Sequence, residues 1–199
     1  MFKNLPAVTR ALLLTNIGIF VLQQFTGDTL LELFALWPAG DRLFQPWQLV
    51  TYAFLHGGLW HIGFNMLALY MFGGPLERWF GSKRFTVYWF ACVVTAAAAQ
   101  ELVAVTAGSA DPTLGASGGI FGLLLAFAWY FPRQRIILLI PPIPMPAWLF
   151  VTLYGLLELF LGVTGGQSDV AHFAHLGGML GGAAMILYWR AVDPPAERY

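Results

Sequence analysis

Ser117 follows Gly115-Ala116 and precedes Gly118 at the head of a strongly apolar segment, and His175 stands in Ala174-His175-Leu176-Gly177-Gly178 near the head of another. A hydroxyl and an imidazole at matching ends of two membrane-length segments are costly in lipid unless they pair. Paired, they supply a nucleophile and its general base. A further element lies in His61-Ile62-Gly63-Phe64-Asn65, where His61 and Asn65 stand at i and i+4, on one face of a helix. Two donors facing a serine at a helix N-terminus, joined by the backbone N–H of Ser117, have the make-up of an oxyanion hole.

Other polar residues in these segments have plainer readings. His56, His61, His172 and His175 could gather on one side, but no carboxylate stands at ligand spacing and there is no His-Glu-x-x-His, so no metal or other cofactor is expected. His56 and His172 are expected to act as interhelical hydrogen-bonders. Cys92 lies among Ala, Val and Phe and reads as a packing residue, because apolar burial disfavours a thiolate. Asp169 is six residues before His175, off its helical face, so no aspartate completes a triad. Glu158 is alone in its span; without a second carboxylate aspartyl chemistry is excluded, and two readings stay open, an interhelical hydrogen bond or a side chain facing a cavity.

The elements that must hold these residues are membrane helices. Of 199 residues, 58% are hydrophobic and only 10% charged, more apolar surface than a soluble domain of this size can cover. The formal net charge of zero argues against nucleic acid as a partner. Apolar runs fall at about 8 to 26, 57 to 76, 85 to 106, 115 to 131, 145 to 164 and 170 to 190, six spans of membrane length. The expectation is an all-α, polytopic membrane protein, a single domain over 1–199. The first run has no small-residue cleavage pattern after it and reads as a retained span. Breakers mark the boundaries: Gly73-Gly74-Pro75, Gly81, Gly108 to Pro112, Pro132, the proline stretch from 141 to 146, read as a turn, and Gly165-Gly166.

In a six-span arrangement Lys3, Arg10, Arg78, Lys83, Arg84, Arg133, Arg135, Arg190 and Arg198 share one side and Arg42 the other. The positive-inside rule then puts both termini in the cytoplasm. The outer side holds the long connection from about 27 to 56, whose Trp37, Phe44 and Trp47 suit a loop lying partly in the membrane interface.

Ser117 and His175 both begin outer ends, so they share a depth. The fourth span, about 17 residues or roughly 25 Å, falls short of the ~30 Å hydrocarbon core. Ser117 is therefore expected below the surface, beside a water-filled notch that hydrolysis requires. Gly118 and Gly122 form one small-xxx-small pair and Gly178 and Gly182 another, letting two backbones approach until the imidazole reaches the serine.

Taken together, these residues resemble the rhomboid intramembrane serine proteases. The family pattern of His-xxx-Asn in the second helix, Gly-x-Ser-Gly opening the fourth and Ala-His-xx-Gly-xxx-Gly in the sixth is met by His61 and Asn65, by Gly115, Ser117 and Gly118, and by Ala174, His175, Gly178 and Gly182. The match runs over nearly the whole chain, in the minimal prokaryotic six-helix form. The resemblance implies that Ser117 is the nucleophile, that His175 is general base and acid in a Ser-His dyad, and that His61 and Asn65 stabilise the oxyanion. It also implies that Phe121 packs against the His175 ring and that Glu77 and Gly81 are structural. One departure stands out: the family's Trp-Arg in the first outer loop reads Trp47-Gln48 here, which puts the rigidity of that loop in question.

The implied activity is endoproteolysis of transmembrane-helix substrates near the outer face of a cell's inner membrane, with such substrates and the lipid bilayer as partners. The rival reading is a catalytically inactive rhomboid-like protein that binds client helices. Such proteins usually lack the serine or the histidine, and both are present.

Overall fold

The computed structural model describes residues 4–108, 110–137, 142–165 and 171–192. Each of the six expected spans is a helix. Helix α1 covers Ala7–Thr26, followed by short helices α2 (Thr29–Phe34) and α3 (Gln48–Thr51) in the first long connection. The second span runs unbroken from Leu59 to Phe80 as α4 (Leu59–Ala68), a π turn (Leu69–Gly73) and α5 (Gly74–Phe80). Helices α6 (Ser82–Ala107), α7 (Ser117–Tyr130), α8 (Ala147–Thr164) and α9 (His172–Val192) supply the rest. Ala7–Thr26, Ser82–Thr106 and Ala147–Thr164 are long and apolar enough to cross a membrane by length and composition alone. Lys3, Pro141, Asp169 and Arg198 lie outside the described residues.

Helix α7 is apolar on every side, and such a helix belongs inside a bundle. Gly118 through Leu124, together with Ala126 and Phe127, are buried in it, and α6, α8 and α9 pack around it. Its 14 residues span about 21 Å, shorter than the bilayer core and shorter than the apolar run in the sequence. The glycines explain how the neighbours come so close. A Cβ on Gly118 would collide with Ala96, one on Gly122 with Cys92, and one on Gly178 with the Gly118 carbonyl. Gly182 departs from the expected pairing: it faces Tyr88 and Cys92 of α6 rather than α7. Cys92 is fully buried, the packing residue its surroundings predicted.

Glu77 is the structural carboxylate. Its oxygens accept the Val8 and Thr9 backbone N–H groups at 3.0 and 2.7 Å and the Thr9 and Ser82 hydroxyls at 2.8 and 2.6 Å. The second span therefore caps the N-terminus of α1, whose first N–H groups have no intrahelical acceptor and whose positive dipole end favours an anion.

The first connection is tied down at several points. Leu36 and Thr113 exchange both backbone hydrogen bonds, at 2.9 and 2.8 Å, stitching it to the segment before Ser117. Gln48, fully buried, does what the missing Arg was expected to do. Its Oε1 accepts the Trp37 and Gln45 N–H groups at 3.3 and 3.1 Å, and its Nε2 donates to the Leu33 and Leu43 carbonyls at 3.3 and 2.9 Å. A neutral side chain thus braces the loop. Trp47 and Trp60 stay largely exposed, as interfacial anchors do.

The proline stretch adds an element absent from the helical expectation. Arg135–Ile137 (β1) pairs antiparallel with Pro144–Pro146 (β2), Ile136 opposite Met145. Proline is tolerated there because a two-stranded ribbon has free edges on which no N–H is required.

Candidate active site

The Gly115-Ala116-Ser117 turn places the serine as the first residue of α7, so its N–H has no intrahelical acceptor and stays available. The Gly115 N–H is bound by the Tyr52 carbonyl at 2.9 Å, while the Tyr52 hydroxyl donates to the Val93 carbonyl at 2.8 Å. That buried tyrosine fixes the turn against α6. Gly115 has φ +124°, and a Cβ there would stand 2.7 Å from His61 Nε2. The first glycine of the motif is therefore required twice, by backbone conformation and by the imidazole that occupies its side-chain space.

Ser117 Oγ lies 2.8 Å from His175 Nε2, hydrogen-bond distance for a hydroxyl and the nitrogen that would take its proton. His175 stacks on Phe121, with ring centroids 4.2 Å apart and planes within 7°. Tyr154 of α8 backs Phe121 at 4.9 Å. The three helices carrying Phe121, Tyr154 and His175 thus hold the imidazole in one plane.

Across the serine stands the donor pair. His61 Nδ1 accepts the Gly57 N–H at 3.3 Å, which leaves the ring proton on Nε2, the nitrogen beside Gly115. Asn65 is buried, its Nδ2 has no hydrogen-bond partner among the described residues, and it lies 3.8 Å from the same point beside Gly115. A buried donor without an acceptor is unfavourable in a resting fold; here two donors converge beside Gly115, two residues before the serine.

His56 and His172 part ways. The His56 ring is buried edge-on to His61, centroids 5.0 Å apart, and neither nitrogen finds a hydrogen-bond partner among the described residues. The interhelical bond expected of it is not made by its ring; its backbone N–H and carbonyl are instead held by Gln23, at 3.1 and 3.2 Å. His172 does bond across helices, its Nδ1 lying 2.6 Å from Glu158 Oε2.

Glu158 is the residue the sequence left open. It is buried, and the same Oε2 lies 2.9 Å from His175 Nδ1. The imidazole that pairs with Ser117 is therefore held by a carboxylate as well as by the Phe121 ring that the resemblance implied. Its signal was available: a carboxylate inside an apolar span must find polar partners, and His172 and His175, at i and i+3 on the next helix, share a face. No carboxylate stands at metal-ligand spacing along the chain, yet the fold brings the donor atoms of Glu158, His172 and His175 within 4.8 Å of one another. The two short contacts are nevertheless hydrogen-bond lengths, whereas two N or O ligands on one tetrahedral zinc, each ~2.0–2.2 Å from the ion, stand about 3.3 Å apart.

The chain is similar to known proteins. Residues 43–191 match the Rhomboid domain family. The chain is 31% identical to Rhomboid protein 1, mitochondrial, of Saccharomyces cerevisiae, over 99% of this chain and 57% of that protein. It is 31% identical to Rhomboid protease GlpG of Klebsiella pneumoniae over 63% of this chain and 44% of that one. With Rhomboid protease GluP of Bacillus subtilis it shares 32% identity over 68% of this chain and 24% of the relative. The chain spans about half the length, or less, of these curated relatives. With a family match over residues 43–191, this multi-pass membrane chain belongs to the rhomboid family.

Proposed function

We propose that the chain is an intramembrane serine endopeptidase that cleaves transmembrane-helix substrates near the outer membrane face. The observation that carries this reading is the 2.8 Å contact between Ser117 Oγ and His175 Nε2 at the buried head of a short central helix. In the reaction, Ser117 Oγ attacks the scissile carbonyl as its proton passes to His175 Nε2. The charge that develops on the carbonyl oxygen is met by His61 Nε2–H, Asn65 Nδ2–H and the Ser117 N–H. His175 then returns the proton to the leaving amine, and water, activated by the same imidazole, releases the acyl group.

An intact substrate helix hides its carbonyls in its own hydrogen bonds, so the scissile stretch must unwind first. Substrates with Gly or Pro near the outer face, and a small residue before the cut, fit that requirement. Arg10, Arg78, Lys83, Arg84, Arg133, Arg135 and Arg190 support a cell's inner membrane with both termini in the cytoplasm.

The test is reaction of purified protein in detergent with a fluorophosphonate probe, with the label located by mass spectrometry. Label on Ser117, lost in His175→Ala and in Ser117→Ala protein that still folds, is the expected result. Folded wild-type protein that takes no label would shift the assignment to an inactive, client-binding rhomboid.

A further inference from the structure

We propose that Glu158 is a third, positioning member of the catalytic group, making a hydrogen-bonded Ser117–His175–Glu158 triad with His172 as the second donor that holds the carboxylate. The inference rests on the proteolytic reading above and extends it. Glu158 enters from α8, while Ser117 belongs to α7 and both histidines to α9, so three helices meet at one proton path. Its Oε2 lies 2.9 Å from His175 Nδ1 and 2.6 Å from His172 Nδ1, and all three residues are buried.

An ionised carboxylate only accepts hydrogen bonds, so each Nδ1 must carry a proton. That fixes His175 as the tautomer with a bare Nε2, and Nε2 is the atom facing Ser117 Oγ. In attack on a fluorophosphonate, Ser117 Oγ forms a bond to phosphorus, the P–F bond breaks and fluoride leaves, and the hydroxyl proton moves to Nε2. The imidazolium so formed sits against the carboxylate, which remains ionised and takes no proton. His172 supplies the second charge-assisted bond to the same oxygen, so the carboxylate is held whichever way the substrate strains His175. Phe121 sets the plane of the ring; Glu158 sets its tautomer and rotation within that plane.

Three readouts test this. Glu158→Gln keeps the volume and removes the charge, and Glu158→Leu removes the acceptor altogether. Each is purified in detergent and checked for a cooperative thermal transition. Its rate of fluorophosphonate labelling at Ser117 is then compared with wild type, and kcat and KM are measured on a transmembrane-helix substrate. The expected result is a fall of about 10²-fold for Glu158→Gln, within the range of about 10²–10⁴ set by general-base catalysis and its orientation. The loss should appear in kcat with KM within about twofold. In [15N]histidine spectra the wild-type His175 should be protonated on Nδ1, with that preference lost in Glu158→Leu, a change that packing alone would not produce.

A folded Glu158→Gln that labels within about threefold of wild type overturns the proposal and leaves the Ser-His assignment standing. Wild-type protein that labels normally with His175 protonated on Nε2 does the same. Failure of wild-type protein to label overturns both.

Discussion

Replacing Gly115 by alanine pushes one methyl group into the space of His61, the donor proposed for the oxyanion. The added Cβ would stand 2.7 Å from His61 Nε2, 2.8 Å from its Cε1 and 3.8 Å from Asn65 Nδ2. Because Gly115 holds φ +124°, a side chain there also costs about 1–3 kcal/mol of backbone strain. The two effects reach different observables. Strain lowers the thermal midpoint, and displacement of His61 removes a donor from the developing oxyanion, a loss of about 10²–10³ in rate. The assay is the labelling rate at Ser117, measured below the unfolding transition so that strain does not enter. Gly63→Ala is the companion variant: it sits in the same span as His61, nothing lies within 4 Å of the Cβ it would gain, and alanine is the better helix former by about 1 kcal/mol. It should label at the wild-type rate and melt no lower. Gly115→Ala protein that labels within about threefold of wild type would refute the claim that His61 fills that space to serve the serine.

Two further outcomes follow from the outer side of the bundle. Gln48→Ala should cost about 2–4 kcal/mol locally, since four backbone groups lose their partner in a buried setting. Faster amide exchange over residues 33–48 should report it, and unchanged exchange would mean that the backbone pairing of Leu36 with Thr113 suffices. His56, in the loop before α4, has its imidazole pushed down to about 3, first by burial and then by His61 beside it. Its folded value lies below its unfolded value of 6.5, so between those limits the unfolded chain binds the proton that the folded one refuses. Stability contributed at His56 is therefore complete above about pH 6.5 and falls with acidification, by about 1.4 kcal/mol per pH unit at most. Thermal melts from pH 7 to pH 5 should show that slope, and His56→Phe should flatten it; an identical slope in the variant would count against the burial argument.

Much of this molecule was legible along the chain because a membrane reduces the choices. Apolar length fixes where helices run, and the helical repeat fixes which residues share a face. That logic sufficed for Ser117 at the head of α7, for His61 with Asn65, and for the glycines that let α9 meet α7. Gly182 was misdirected because the repeat gives its stripe but not which neighbour the stripe faces; the rotation of α9 turns it to Tyr88 and Cys92 on α6. Gln48 was read as a lost arginine, since its missing charge is visible in sequence and its four backbone partners, dispersed from Leu33 to Gln45, are not.

The sequence by itself determined the solvent, the helices and the places of Ser117, His175, His61 and Asn65 near the heads of their helices, since each depends on apolar length or on spacing within one helix. Tertiary structure alone decided that Glu158 reaches both His172 and His175, that His61 occupies the side-chain space of Gly115, and that the His56 ring packs on His61 with neither nitrogen hydrogen-bonded among the described residues. The contacts of Glu158 and of His61 with Gly115 join residues 14, 17 and 54 positions apart, across segments whose relative depth and rotation are set by how glycines and large side chains interlock across the whole bundle. Periodicity along one helix carries no record of that interlocking, so the chemistry could be named from the chain and its orientation could not.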